Sequence, residues 1–307
     1  MPGYFAADSM VVRALSSRAV GLTYGQRALV IGALHPRLFV GTAQHTTHRR
    51  SPYTRLGLTA RLFESVFLGS KEEADRALAY AAKRHTTVRG TMSVDGGAAH
   101  PAGSPYSAAD PGLMWWTAGF TLDSVEFMYD ALVRRLHHHE REELFDDFVR
   151  WAELFGMPRS GAPATYDEFR AAFDGWLRSD EPHLVEEARL VGRHIAGTSG
   201  YALPLRRVSS PTLATIVQGS LGPLVRRHYD IPWTARDEAA WRLFGRASRA
   251  VNGRLSPVAR TGLARGRSKE FYKVVQRGEK ALLARGGVSI PGVSDAPPPY
   301  DSFAGQV

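Results

Sequence analysis

The strongest constraint on the fold is a pair of helices, joined at a sharply marked boundary, in residues 55–90. Gly69 is a C-terminal stop signal for the first helix. Ser70 and Glu73 follow, and their spacing is that of a capping box at the start of a second helix. The sequence therefore predicts two consecutive helices with a short join.

Each helix of this pair places polar groups on an otherwise apolar face. Arg55 and Thr59 share a face of the first helix with apolar side chains, since the residues recur at helical spacing. The second helix has one inward face, which ends before Gly90 and consists of Ala74, Leu78, Ala81, His85 and Val88.

An inward histidine such as His85 has two interpretations. It can bind a metal or heme iron through its imidazole. It can also be a buried side chain that is hydrogen-bonded to a carbonyl, and periodicity by itself favours that second interpretation.

Composition excludes several kinds of site. The 307 residues contain no cysteine, which rules out disulfides, thiolate nucleophiles and thiolate-ligated metals. With 44% hydrophobic and 22% charged residues, the chain has the composition of a soluble globular protein. We found no apolar run of membrane-spanning length and no secretory signal pattern, so we expect a cytoplasmic protein.

Positive charge is concentrated in residues 226–285, which hold 15 Lys/Arg against 5 Asp/Glu. Such a segment can bind nucleic acid or an anionic membrane. A solvated helical face is the commoner explanation of the same pattern. We expect no nucleic-acid partner and at most a weak peripheral membrane contact.

The remaining patterns predict an all-α fold with a single globular domain of about ten helices. We expect an N-terminal arm at 1–20 that is poorly attached, a helical domain at 21–285 and a disordered tail at 286–307. Residues 91–109 are rich in Gly, Pro and Ser and predict a loop. No stretch alternates convincingly as a strand.

One further helix is predicted to begin at Asp110-Pro111 and to run to about Leu136. Asp123 shares its aromatic face, where an acid is either a hydrogen-bonded structural group or part of a site. The residues 137–139, all histidine, are expected to end this helix. The acids at 142–143 and 146–147 are expected to be solvated.

Motifs for nucleotide binding, serine hydrolysis and zinc proteolysis are absent, and there is no Glu-x-x-His pair of the kind used by helical di-iron sites. The candidates that remain for chemistry come from segments that can meet in one helical core: His35, His45, Arg55, Thr59, His85 and Asp123.

Three segments resemble, in this order, a large bacterial family: GQRALVIGALHPRLFVGTAQHT, RLGLTARLFESVFLGSKEEADRALAYAAKRHTTVRG and DPGLMWWTAGFTLDS. The family is DUF2236, also called the MpaB-type oxygenases or the rubber-oxygenase (latex-clearing protein) catalytic domain. Two later segments also fit, so the resemblance covers about residues 20–285.

The resemblance implies an all-α domain around a buried b-type heme. It implies that His85, in RHTTVRG, is the axial ligand of the heme iron. It also implies that Arg55 and Thr59 reach the heme pocket as catalytic and cofactor-binding residues. His45 matches a family position, and we expect it at the cofactor site in a supporting role.

Three positions depart from the family pattern. Leu58 stands where many relatives have a basic residue, and where the rubber-cleaving members have a lysine that can reach the iron. Gln44 replaces an acid and cannot act as a base. Ala118 replaces a histidine, so a polar contact is lost.

The resemblance therefore implies a heme b-dependent oxygenase that uses O2 on a small, hydrophobic, unsaturated substrate of isoprenoid type. The reaction that we expect from it is oxidative cleavage of a carbon–carbon double bond. Two alternatives stay open. One is a non-catalytic helical protein that docks on a membrane or polyanion through its basic C-terminal third. The other is a heme protein of the same fold that performs a different oxidation in secondary metabolism.

Overall fold

The structure is a computed structural model that describes residues 3–46, 48–92, 94–198, 210–262, 264–286, 290, 293 and 301–302. Within this part of the chain, one 3₁₀ turn (Arg159–Gly161) accompanies fifteen α-helices. The helices are α1 Met10–Ser16, α2 Arg18–Gly21, α3 Tyr24–Gly32, α4 Pro36–His45, α5 Pro52–Leu68, α6 Lys71–His85, α7 Pro111–Leu132, α8 His138–Leu154, α9 Tyr166–Arg178, α10 Glu186–Ile195, α11 Ser210–Ser220, α12 Pro223–His228, α13 Ala235–Arg254, α14 Pro257–Thr261 and α15 Arg267–Ala284.

The prediction of an all-α fold of about ten helices is confirmed in part, since the described chain is mostly helical but has fifteen helices. The central helix is α7. It packs against α2, α3, α8 and α13, and residues on all of its sides are buried. Its start is set by Asp110, whose Oδ1 accepts from the backbone N–H of Gly112 at 2.8 Å and of Leu113 at 3.3 Å. Pro111 follows at the first helical position, as predicted.

None of the described helices is both long and apolar enough to cross a bilayer.

The predicted capping box between the paired helices is also present. The backbone N–H of Ser70 donates to Glu73 Oε2 at 2.7 Å, and the backbone N–H of Glu73 donates to Ser70 Oγ at 3.3 Å. The backbone N–H groups of Ser70 and Glu73, which have no acceptor within the helix, are thereby hydrogen-bonded. The join fixes α6 directly after α5, and the two helices pack against each other.

Asp123 is a structural group in the core, which was one of its two interpretations. Its Oδ2 accepts from Arg27 at 2.5 Å and its Oδ1 from Arg170 at 2.6 Å. Burial by itself would raise the pKa of Asp123, but the two guanidinium groups hold it below its usual range. A fully paired carboxylate of this kind joins α3, α7 and α9.

The prediction of a poorly attached arm at residues 1–20 is wrong for α1 and α2. Met10, Val11 and Val20 are fully buried in the core. Two carboxylates of α8 hold the start of α1, because Glu143 accepts from Met10 N at 2.8 Å and Asp147 accepts from Val11 N at 3.0 Å. Of the four acids expected to be solvated, Glu142, Glu143 and Asp146 are exposed, and the expectation is wrong only for Asp147, which is half-buried.

A small antiparallel sheet corrects the prediction of an entirely helical chain. Its strands are β1 Arg89–Thr91, β2 Pro105–Ser107 and β3 Asp301–Ser302, in the order β2-β1-β3. Gly90, expected to end α6, pairs instead with Tyr106. The helix ends at His85, where the hydroxyl groups of Thr86 and Thr87 satisfy carbonyls of its last turn.

The residues 137–139 begin a helix and do not end one. His137 is the N-cap of α8, and its backbone N–H donates to Glu140 Oε2 at 3.0 Å. Glu140, three residues after the cap, completes a capping box, which is a sequence signal for the start of a helix. The chain between α7 and α8 is held by Asp130, which accepts from Leu136 N at 2.7 Å.

Most of the predicted disordered tail, 286–307, lies outside the described residues. Two of its described side chains contradict the prediction, because Ile290 and Val293 are buried in the main hydrophobic core. β3, also in this tail, pairs with β1. Single apolar residues in a Gly/Pro-rich stretch can thus pack into the core, and the composition of the stretch does not predict this.

Helices α5 and α15 are joined by reciprocal carboxylate caps. Glu279 of α15 accepts from Tyr53 N at 3.0 Å and Thr54 N at 2.8 Å, at the start of α5. Glu64 of α5 accepts from Ser268 N at 2.9 Å, at the start of α15. Each carboxylate therefore meets the positive end of the other helix.

Replacing Glu279 by alanine should destabilise the protein by about 1–3 kcal/mol, because two buried backbone N–H groups lose their acceptor. Chemical denaturation measures the loss. Glu270→Ala is the matched control on the same helix, since its surface pair with Lys273 stabilises little. Equal losses in the two variants would contradict the cap.

Asp147 should make stability depend on pH. Burial raises the pKa of Asp147 to about 6, from an ordinary 3.8. A carboxyl with a raised folded-state pKa binds its proton more tightly in the native protein, so its contribution is favourable below pH 3.8 and is lost as the pH rises through 6.

The Asp147→Asn variant keeps an acceptor for Val11 N and removes this titration. We expect its melting temperature to equal that of the wild type near pH 4 and to exceed it near pH 7.5. Thermal melts across this range test the prediction. A deficit that appears only as the pH rises would show that the charge of Asp147 is required, and a difference that does not change with pH would contradict the raised pKa.

Candidate functional site

One cleft brings together the four residues that the sequence singled out as site residues. It has a volume of about 850 Å³ and is lined by side chains of α4, α5, α6, α7, α8 and β2. His45, Arg55, Thr59 and His85 all line it. A volume of this size is typical of pockets for organic ligands and cofactors.

His85 is the last residue of α6 and presents its imidazole to the cleft. The side chain is half-buried and makes no hydrogen bond within the described chain. Burial lowers the pKa of His85, so the ring is neutral at physiological pH. A neutral imidazole with a free ring nitrogen is the form that binds a metal. In the described ranges, no three His, Asp or Glu side chains form a group that could hold a metal ion.

Arg55 and Thr59 lie one turn apart on α5 and face the same cleft. Burial lowers the pKa of Arg55, and the nearby acids Glu187 and Glu279 oppose that effect. In the part of the chain that the structure describes, neither the guanidinium nor the Thr59 hydroxyl forms a hydrogen bond. Both groups are therefore free to donate to a ligand.

A cluster of polar side chains around Tyr106 forms another part of the cleft wall. Its hydroxyl donates to Gln44 Oε1 and lies 3.5 Å from His45 Nε2. Burial, followed by the charge of Arg84, lowers the pKa of His45. Gln44, which departs from the family pattern, thus accepts a hydrogen bond from a strand residue next to the cleft.

Positive charge dominates the cleft. Among its lining residues one acid, Glu73, faces five arginines: Arg37, Arg55, Arg61, Arg76 and Arg84. Glu73 binds Ser70 and Arg265, and two of the arginines are also paired, Arg76 with Glu72 and Arg37 with Asp110. Arg55, Arg61 and Arg84 have no acidic partner among the described residues. Guanidinium groups bind carboxylates and phosphates strongly, and the cleft therefore favours an anionic ligand.

A smaller chamber adjoins the cleft. Its volume is about 260 Å³, and apolar side chains such as Leu29, Phe120 and Ile195 supply most of its wall. The two cavities share six lining residues, which form a common wall: Leu38, Thr42, Arg55, Thr59, Phe63 and Thr117. Arg55 and Thr59 therefore reach both spaces.

The inner chamber also holds polar groups that sequence reasoning missed. Tyr24 lies on its wall, and burial together with the charge of Glu64 raises the pKa of Tyr24. Its hydroxyl stays protonated and makes no hydrogen bond to the described residues. An apolar pocket with a few polar groups is the usual form of a substrate site.

Two of the candidate residues lie away from the cleft. His35 is stacked between His100 and Trp176, with ring centroids 4.9 Å and 5.8 Å away. Burial, followed by the charges of His100 and Arg37, lowers the pKa of His35 to about 3. Asp123 is the core carboxylate described above. Both are structural groups.

The other two departures from the family pattern differ in position. Leu58 lines the cleft, where its aliphatic side chain offers neither a ligand atom nor a hydrogen bond. Ala118 is fully buried within α7. The loss of a polar group therefore affects the cleft at Leu58 and the helical core at Ala118.

Several cleft residues had a signal that the sequence analysis did not use. Arg76, Tyr80 and Arg84 recur every four residues on α6, next to the row that contains His85. Tyr106 had no such signal, because it lies in a segment that composition predicted to be a loop. Only the β1–β2 pairing brings it to the cleft.

Comparison with known proteins supports the family resemblance. A family model described as "ER-bound oxygenase mpaB/B'/Rubber oxygenase, catalytic domain" matches residues 12–250. Comparisons with curated proteins and with solved structures gave no significant match. The match spans most of the chain and includes α4 to α7, which carry the cleft. The chain therefore belongs to the family of mpaB-type and rubber-oxygenase catalytic domains, a family of oxygenases.

Proposed function

We propose that the protein is a heme b-dependent oxygenase that uses O2 to oxidise a small, hydrophobic, unsaturated molecule of isoprenoid type. The observation that carries the proposal is the convergence of His85, Arg55 and Thr59 on one cleft that adjoins an apolar chamber. Membership of an oxygenase family supports the reaction class.

The residues of the cleft fit a heme group. A porphyrin supplies four ligands to its iron, so the protein needs to add only an imidazole such as that of His85. The depressed pKa of His85 keeps that imidazole deprotonated at one nitrogen. The two propionates of heme b would find partners among the five arginines of the cleft. When bound, heme would supply the activation of O2, and the protein would supply orientation and electrostatics.

Arg55 and Thr59 act as donors in the wall between the cofactor cleft and the substrate chamber. A guanidinium and a hydroxyl without other partners can hydrogen-bond oxygen atoms that gain negative charge during the reaction. Leu58, between them in the sequence, leaves that part of the wall apolar. No side chain at this position competes for the iron, in contrast to the lysine of the rubber-cleaving members.

The inner chamber holds the substrate. Its wall is mainly aliphatic and aromatic, so it excludes water and favours a hydrocarbon. Its volume of about 260 Å³ suits a small molecule or the end of a longer chain. Oxidative cleavage of a double bond places one oxygen atom of O2 on each carbon, and the reaction therefore needs no external reductant.

Replacing His85 by alanine should give a folded helical protein that retains little or no heme. The absorption spectrum of the purified variant measures this, and added imidazole should restore part of the heme signal. His139→Ala, an exposed histidine of α8, is the matched control and should keep the wild-type spectrum.

His45→Ala separates the two histidines of the cleft. His45 is next to Tyr106, so its loss should weaken heme retention less than the loss of His85. A His85→Ala protein with a wild-type heme spectrum would overturn the assignment of the ligand. A wild-type protein that binds no heme when it is reconstituted would overturn the proposed cofactor.

Replacing Arg55 by alanine should reduce heme retention or turnover by about tenfold or more, with the helical content unchanged, because a buried charge-assisted donor is lost. The heme-to-protein ratio and O2 consumption with a candidate substrate measure the two effects. Arg178→Ala is the matched control, since Arg178 is an exposed arginine of α9 that does not line the cleft. Full heme content and full turnover in Arg55→Ala would remove Arg55 from the site.

A further inference from the structure

Four aliphatic side chains are exposed along one short stretch of the basic C-terminal third. Val258 is 78% exposed, Leu243 68%, Val251 54% and Leu255 38%. Leu243 and Val251 lie about two turns apart on α13, Leu255 follows the end of α13, and Val258 lies in the first turn of α14. We name the exposed surface of residues 243–260 the α13–α14 face.

The α13–α14 face lies in a stretch of predominantly positive charge, in which Arg242 and Arg265 are paired with Glu238 and Glu73. Residues 239–269 contain eight Lys/Arg and no Asp or Glu. Some of these cations are used inside the fold, since Arg249 donates to the carbonyl of Ala131 and Arg267 to that of Ser16. Arg246 and Arg254 are exposed and form no ion pair with the residues that the structure describes.

We propose that the α13–α14 face is a peripheral docking surface for an anionic lipid bilayer. Exposed aliphatic side chains between arginines are the pattern of helices that lie in a membrane interface. The aliphatic groups enter the acyl boundary, and the guanidinium groups bind lipid phosphates and carboxylates. The proposal is independent of the proposed oxygenase activity.

Other partners fit this face less well. In a symmetric dimer, a basic surface without acids would meet a second copy of itself, and arginines would then oppose arginines. Nucleic acid would use the arginines on phosphates and leave four aliphatic side chains without a function. A lipid surface uses both features of the face.

Part of the wall of the inner chamber lies next to the α13–α14 face. Its wall includes Leu22, which is 50% exposed at the end of α2, and Ala264, which follows α14. α14 packs against α2, so the docking face and this part of the chamber wall are neighbours. A bilayer docked on the α13–α14 face would therefore lie next to this part of the chamber wall.

Vesicle flotation of the full chain tests the proposal. We expect binding to vesicles of phosphatidylcholine with phosphatidylserine, weaker binding as salt is raised to about 0.15 M, and no binding to phosphatidylcholine alone. The variant Arg254→Glu should bind at least about fivefold more weakly. Arg178→Glu makes the same charge change at an exposed position of α9, and this variant should bind like the wild type.

The contribution of the exposed aliphatic side chains to vesicle binding needs a separate measurement. Val258→Asp should also reduce vesicle binding, and circular dichroism should show an unchanged helical content because the side chain is exposed. Since the chain has no cysteine, Val258→Cys carries an environment-sensitive dye at a single site. Its emission should shift to the blue with anionic vesicles, and the emission of a dye at Ala172→Cys on α9 should not.

Several results would overturn the proposal. They are an absence of vesicle binding at low salt, equal effects of Arg254→Glu and Arg178→Glu, or a dye at position 258 that does not respond to bound vesicles. Binding of duplex DNA in place of vesicles would assign the face to nucleic acid. A dimer that Val258→Asp dissociates would assign it to a second copy of the chain.

Discussion

The site depends on the reciprocal caps between α5 and α15. Each helix begins with backbone N–H groups that lack a partner within the helix, and a carboxylate from the other helix accepts from them. Glu279 holds the first turn of α5, and Arg55 follows within that turn. The direction of the Arg55 side chain is thus set by an acid more than 200 positions later in the chain.

This arrangement needs a close approach of the two helices, and Gly57 permits it. A Cβ atom at Gly57 would lie 3.0 Å from the Cα of Tyr272, which leaves no room for a larger residue without a shift of α15. α15 lies beyond the 12–250 range that the family model matches. A segment outside the shared region therefore supports the helix that carries two of the site residues.

Charge pairing separates structural arginines from those of the cleft. Arg27 and Arg170 are both paired with the buried carboxylate of Asp123, so their role is structural. Arg55 is half-buried in the cleft wall and forms no ion pair with the described carboxylates, although the charges of Glu187 and Glu279 act on it. An anionic or polarised ligand would supply the hydrogen-bond acceptor that the described residues do not give this guanidinium.

The sequence by itself determined the local features of the structure. Ser70 with Glu73 and Asp110 with Pro111 predicted helix starts that the structure confirms, because a cap involves residues within four positions. Periodicity placed His85 on the inner side of α6, and the resemblance supplied the family. Tertiary structure decided what depends on partners far away in the chain: α1 is buried because α8 carboxylates cap it, and Tyr106 reaches the cleft through a strand pair. Such pairings have no signal within either segment alone, because neither segment contains the partner that satisfies it.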